Sequence, residues 1–305
     1  MTGLGALIRR NCKLFFKDKG MFFTSLITPV ILLVLYATFL AKVYRDSFAA
    51  AMPAGFAVDA ALIDGTVGGQ LVSSLLAVCC VTVAFCSNLL MVQDKVSGAI
   101  RDLTVSPLRH STLALSYYIA SALSTLLISL TALGISFLYL WRMGWYMSLS
   151  DVLAMLLDVV LLTLFGVALS SCVNFPLKTN GQASAVGTIV SAGYGFICGA
   201  YMPISQFAAG IRNFVTFVPG TYGTVLFRRF FMGGAIEEMA KYAPAEAISA
   251  LQDAFDYNIY FFDHLVPAPV CFAILGITVL VLAVVFAVVV HCMHKVGKTK
   301  RKGNS

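Results

Sequence analysis

Apolar residues in this chain come in long blocks rather than in the short alternating or one-face patterns of soluble strands and helices. The blocks lie at roughly 21–41, 67–92, 112–140, 150–173, 181–202 and 268–293. Each has about the 20 residues that an α-helix needs to cross a hydrocarbon core ~30 Å thick. In lipid a spanning segment must satisfy its own backbone hydrogen bonds, which leaves the helix as the form these blocks take. The pattern predicts an all-α integral membrane protein with six transmembrane helices over residues 21–293. Pro29 falls inside the first block and predicts a kink that neighbouring helices tolerate.

Between the blocks the pattern changes. Residues 2–19 have a helical period, with Leu4, Leu7, Ile8, Asn11 and Phe15 on one side and Arg9, Arg10, Lys13 and Lys17 on the other. That is the signature of an amphipathic helix over 1–20 lying in the membrane interface. An ordinary basic flank that sets topology fits the same residues equally well. Asp18 and Gly20 break the pattern before the first span. Two other segments, 42–66 and 203–267, are long enough to carry structure, the second punctuated by Pro203, Pro219, Gly233, Gly234 and Pro244. Its first part, PISQFAAGIRNFVTFVPG, is too apolar for a free loop and too short to span, which predicts short re-entrant or interface-lying helices capping the outer mouth. The fifth block carries Gly181, Gly187, Gly193, Gly195 and Gly199, with Gly195 and Gly199 in GxxxG spacing. Small residues let helices approach closely in lipid. Gly187, Gly195 and Gly199 are candidates for a chain-to-chain contact, with packing inside one chain as the even alternative.

Composition sharpens this picture. The 305 residues are 59% hydrophobic and 11% charged, against roughly 25% charged in ordinary soluble domains. The net charge of +7 lacks the basic stripe with interleaved aromatics that nucleic-acid binding uses, so no nucleic-acid partner is expected. It has a topological explanation instead. The ends of the chain and the loops 93–111 and 174–180 hold fourteen Lys and Arg residues, while the longer segments on the other side hold seven. Positive charge prefers the cytoplasm, so both termini, including the basic tail 294–305, are expected there, in a multi-pass protein of the cell membrane. The first block follows basic residues but has no small-residue cleavage site, so it reads as a retained span. The eight cysteines fall mostly inside apolar blocks without metal-ligand or disulfide-framework spacing.

No catalytic machinery stands out. Gly297-Lys298-Thr299 would need a glycine at position 292 to complete a phosphate-binding loop, and that position is Cys292. Neither HExxH nor GxSxG occurs, and no metal site is expected. Asp158 stands alone midway through the fourth block, where an unpaired charge is costly and faces a bundle interior or water. It is the candidate translocation-path residue; a structural hydrogen bond to a nearby Ser, Thr or Tyr is the competing reading. Gln70, Ser73, Ser74, Thr82, Ser87 and Asn88 could line a polar seam on the second block.

The loop after the second block, MVQDKVSGAIRDLTVSPLRHSTLALSYYIA, gathers charge in a tight order. Gly98 can open a short helix with Ala99, Ile100 and Leu103 on an apolar face and Arg101 and Asp102 in water, and Pro107 forces the chain out of helix near Ser106. A plain turn between spans is the alternative on spacing alone. This loop resembles the coupling helix of the type-2 membrane permeases of ATP-binding-cassette (ABC) exporters. The family's charged pair, Gly, Leu and small-residue-Pro pattern reads here as Asp94 and Lys95, Gly98, Leu103, and Ser106 with Pro107. The family more often has Glu after the Gly, where this chain has Ile100, Arg101 and Asp102. The resemblance extends over the N-terminal helix, six spans and an outer segment whose turn prolines are Pro203 and Pro219, the expected outer gate. It implies a non-catalytic subunit, paired with a second permease chain as a homodimer or heterodimer and bound to separate ATPase subunits that carry the ATP and Mg. An amphipathic or hydrophobic cargo such as a drug, toxin, peptide or lipid suits a path with little fixed charge. Polysaccharide or other polymer export, or an ion-coupled secondary transporter, are the alternatives.

Overall fold

A computed structural model describes residues 2–52, 58–105, 110–262 and 264–302. Helix α1 (Thr2–Lys17) ends where Asp18 caps the next helix, its carboxylate accepting the Met21 N–H at 3.0 Å. Helix α2 (Lys19–Leu35) contains Pro29 without ending there and passes through a π-helical stretch, Tyr36–Leu40, into α3 (Ala41–Ala51). The first span thus continues past its apolar block into a segment expected to stand apart from it. Lys42 and Arg45 do not stop the helix, and Arg45 reaches Asp64 of the next helix at 2.5 Å. Helices α4 (Ala60–Asn88) and α5 (Leu90–Val96) follow nearly in line, then α6 (Ala99–Val105), α7 (His110–Met143) and α8 (Leu149–Asn174). Ser148 and Asp151 start α8 with a reciprocal capping box. Helix α9 (Asn180–Ile197) is capped by Thr179.

The remainder is α10 (Ala209–Val215), α11 (Pro219–Met239), α12 (Ala245–Ala254), a hairpin of β1 (Tyr260–Phe261) and β2 (His264–Leu265), and α13 (Ala268–Lys302). The hairpin pairs antiparallel, with Tyr260 opposite Leu265 and Phe261 opposite His264.

Helix α4 is the axis of the bundle, packed by α2, α7, α8 and α11 and buried over most of its length. Its polar residues stay inside this core. Asn88 donates to Ser170 and Ser171 of α8 at 3.0 and 2.7 Å, while Ser73 and Thr82 bond back to their own helix. Gln70 and Ser74 of the same helix are buried with side-chain polar atoms that have no partner among the described residues. Helices α2, α7 and α13 instead show solvent-side Phe23, Ile27, Leu123, Leu127, Ile277 and Leu280, an apolar shell suited to lipid tails.

Among the described residues, five helices are long and apolar enough to cross a membrane: Lys19–Ala50, Ala60–Val96, Ser111–Met143, Leu149–Asn174 and Ala268–Cys292. Helix α9 is not among them. Its 18 residues are rich in Gly and Ser and reach about 27 Å at 1.5 Å per residue. The larger departure from expectation is α11. Two short helices do occupy the first part of that outer segment, a 3₁₀ turn at Ile204–Gln206 and α10, but they are followed by an unanticipated 21-residue helix, most of it buried against α4, α8 and α13. Absent side chains make this fit possible: a Cβ on Gly234 would lie 1.8 Å from the Tyr146 carbonyl oxygen, and one on Gly69 would lie 2.8 Å from Met232.

Candidate functional site

At one end of the bundle, α5 finishes the span begun by α4, and α6 follows α5. Gly98 sits between them at φ +83°, a left-handed conformation that glycine adopts without strain, and α6 begins at the next residue. Ile100 and Leu103 pack against a cluster that includes Leu7, Phe15, Leu90, Met91 and Leu113. Arg101 and Asp102 are exposed on the opposite side. Ser106 and Pro107 lie outside the described residues.

The charged pair that opens the loop is used inside the chain. Asp94 is buried, with Arg10 of α1 donating to both its oxygens at 2.7 and 3.1 Å and the Tyr117 hydroxyl of α7 donating to one of them. The Asp94 carboxylate raises the Arg10 guanidinium still further above its ordinary value. Lys95 is half-buried; its Nζ donates to the backbone oxygens of Phe175 and Leu177 just past α8 and sits 4.9 Å from the Phe175 ring centroid. A cation there complements the negative end of a helix. One side of α1 is as expected, with Leu7, Asn11 and Phe15 buried and Arg9, Lys13 and Lys17 exposed. Arg10 turns inward from that exposed side, drawn by Asp94. The two residues are 84 positions apart, so helical period alone carried no signal of the pairing.

Asp158 is fully buried midway along α8, and neither carboxylate oxygen has a hydrogen-bond partner among the described residues. It shares its core with Cys80, Tyr194 and Cys271, and it does not line the cavity around Arg212 and Asp253 or the one around Asp59 and Tyr242.

The glycines of α9 divide. Gly195 is covered by Tyr201, whose ring would lie 2.3 Å from an added Cβ. Gly199 stops the helix at φ +74°. Both are used within the chain, whereas Gly187 and Gly193 have nothing within 4 Å of an added Cβ.

Pro203 precedes a 3₁₀ turn at Ile204–Gln206, and Pro219 takes the first position of α11, where its missing N–H costs nothing. What fastens these turns was not anticipated. Arg228 of α11 is wholly buried and donates to Asp256 at 3.0 Å and to the Gly199 carbonyl at 2.5 Å. Asp256 also accepts the Ile204 and Ser205 N–H groups at 2.5 and 2.9 Å. Next to it, Arg229 donates to the carbonyls of Tyr257 and Val266 at 2.9 and 2.7 Å. The available signal was two adjacent arginines in an otherwise apolar stretch. Buried cations demand partners.

Among the described residues no cluster of His, Cys, Asp and Glu is arranged to hold a metal ion. A family model described as ABC-2 type transporter matches residues 2–232. No match is found among curated proteins.

Proposed function

The chain belongs to the ABC-2 type transporter family, as a permease component of an ABC transporter, and on that premise we propose that it forms the translocation path of an ATP-driven exporter. Hydrolysis belongs to ATPase subunits on separate chains, which hold the ATP and Mg, and a second permease chain completes the path. In this reading α9, although less apolar than the other spans, makes a sixth crossing, and both termini lie on the cytoplasmic side of the cell membrane, in keeping with the bias of Lys and Arg.

The observation that carries this reading is the way α6 is mounted. Its outward residue Asp102 is exposed, while Ile100 and Leu103 press into the cluster shared by α1, α5 and α7. The Asp94 contacts tie that unit to α1 and α7, and Lys95 ties it to the end of α8. A push on α6 is therefore delivered to several helices at once. Closure of the ATPase pair moves the second and third spans as rigid bodies, and the path switches access. Asp94 and Lys95 act in this scheme as transmitters within the chain, and Asp102 with Gly98 as the receiving end. The cargo is amphipathic or hydrophobic, in keeping with spans whose sequence is dominated by apolar residues.

A tagged permease purified in mild detergent should bring with it a chain that has a phosphate-binding loop and ATPase activity. Substitution of Gly98 and Asp102 should uncouple hydrolysis from vanadate-sensitive transport without unfolding the protein. Unchanged transport in those variants, or no ATPase under several detergents, sinks the proposal. The unpartnered Asp158 carboxyl favours one rival, an ion-coupled transporter, which predicts transport that survives ATP depletion and fails in Asp158→Asn.

A further inference from the structure

A cavity of about 390 Å³ lies at the end of the bundle opposite α6, lined in part by Ser205, Arg212, Asp253, Asp256, Tyr260 and Phe262. That volume is within the ~300–1,000 Å³ usual for small-ligand sites. Its charged groups are unequally occupied. Asp256 is committed to the Ile204 and Ser205 N–H groups and to Arg228. Asp253 accepts a single side-chain hydrogen bond, from the Tyr260 hydroxyl at 3.1 Å. Arg212 is exposed and forms no ion pair among the described residues. One cation and one carboxylate, both with bonding capacity left, line the same cavity. Together they suit a zwitterion with an oxyanion for the guanidinium and an N–H cation for the carboxylate.

A second observation indicates how such a ligand arrives. Phe262 lines the cavity and meets Phe261 and Phe217 edge-on at 5.1 and 6.2 Å, and Phe217 meets Phe261 at 5.3 Å. These three rings form a lip that stays well exposed, 62% for Phe217. The hairpin that carries two of them ends at Leu265, and the last apolar span begins at Ala268. The lip therefore lies where the chain enters the membrane, within reach of lipid acyl chains.

We propose that this cavity binds the phosphate–ammonium headgroup of a phosphatidylethanolamine-type lipid. The phosphate is held by Arg212 and the ammonium by Asp253, and the acyl chains run over Phe217, Phe261 and Phe262. The site stands apart from the coupling region, and the proposal does not depend on the direction of transport or its energy source.

Native mass spectrometry of the purified, delipidated full-length chain with its co-purifying subunits, offered phosphatidylethanolamine, phosphatidylcholine and phosphatidylglycerol, tests it. Phosphatidylethanolamine should be retained about tenfold better than the other two, the scale of one charged hydrogen bond. Asp253→Asn should erase the preference for phosphatidylethanolamine over phosphatidylglycerol, and Arg212→Gln should weaken retention of all three. Both residues are exposed, and an unchanged melting temperature in lipid-free detergent separates a lost site from a lost fold. Equal retention of the three lipids, or retention unchanged in both variants, would overturn the proposal. Protection by soluble O-phosphoethanolamine as strong as that by the lipid would overturn the lipid source and leave a free zwitterion as the ligand.

Discussion

Two aspartates eight positions apart, Asp94 and Asp102, look alike in the loop pattern and differ completely in space. Asp94 is enclosed by Arg10 and Tyr117, whereas Asp102 is exposed on α6. Asp94→Asn leaves a half-buried guanidinium short of its partner, at a cost of ~1.5–3 kcal/mol, the scale of a hydrogen bond to a charged group. Asp102→Asn should change the melting temperature little and act on coupling alone. Thermal unfolding read beside ATP-dependent transport checks the pair, and equal melting losses would refute the distinction. Spacing grouped both residues in one charged stretch of sequence. It did not separate them, because the partner of Asp94 lies on a helix remote in sequence. Arg228 and Asp256 were hidden for the same reason: a contact across 28 positions leaves no local pattern.

At the scale of elements, the apolar blocks fall within the central and last of the long apolar helices, because lipid imposes a length that composition reveals directly. Helix α11 was less legible. Its Arg228, Arg229, Glu237 and Glu238 dilute the apolar signal, so burial of this depth rests on partners elsewhere in the chain and on glycines where helices meet. That contact makes a sharp forecast. Gly234→Ala drives a methyl into the backbone oxygen of Tyr146, an atom with little room to retreat, and should cost about 3 kcal/mol or more. Gly193→Ala, with nothing within 4 Å, should be neutral or stabilise α9 by up to roughly 1 kcal/mol. Melting temperatures of the two variants in one detergent decide it; similar values would mean that the close approach at Gly234 is absent.

At the scale of the whole molecule, α9 presents an unoccupied side in the single chain. Gly187 is open, and Ile189 and Phe196 are exposed at 70% and 53%. If a second permease chain closes the path there, Gly187→Cys, in a background lacking the exposed Cys292, should yield an oxidised dimer in native membranes. A cysteine on the lipid-side Leu280 of α13 should not. Equal crosslinking at both positions would remove α9 as the contact. The grip of α11 on the later segments also bears on how the protein is made. Arg228 and Arg229 leave the ribosome well before Asp256, Tyr257 and Val266, so at first their cations have none of these partners and α11 is a poor candidate for insertion. The family match ends at residue 232, yet Asp256 and the carbonyls of Tyr257 and Val266, which accept from its last arginines, are synthesised after that point. Helix α11 therefore settles after translation of the hairpin and beginning of the last span, and assembly of the membrane domain waits on residues outside the segment that identifies it.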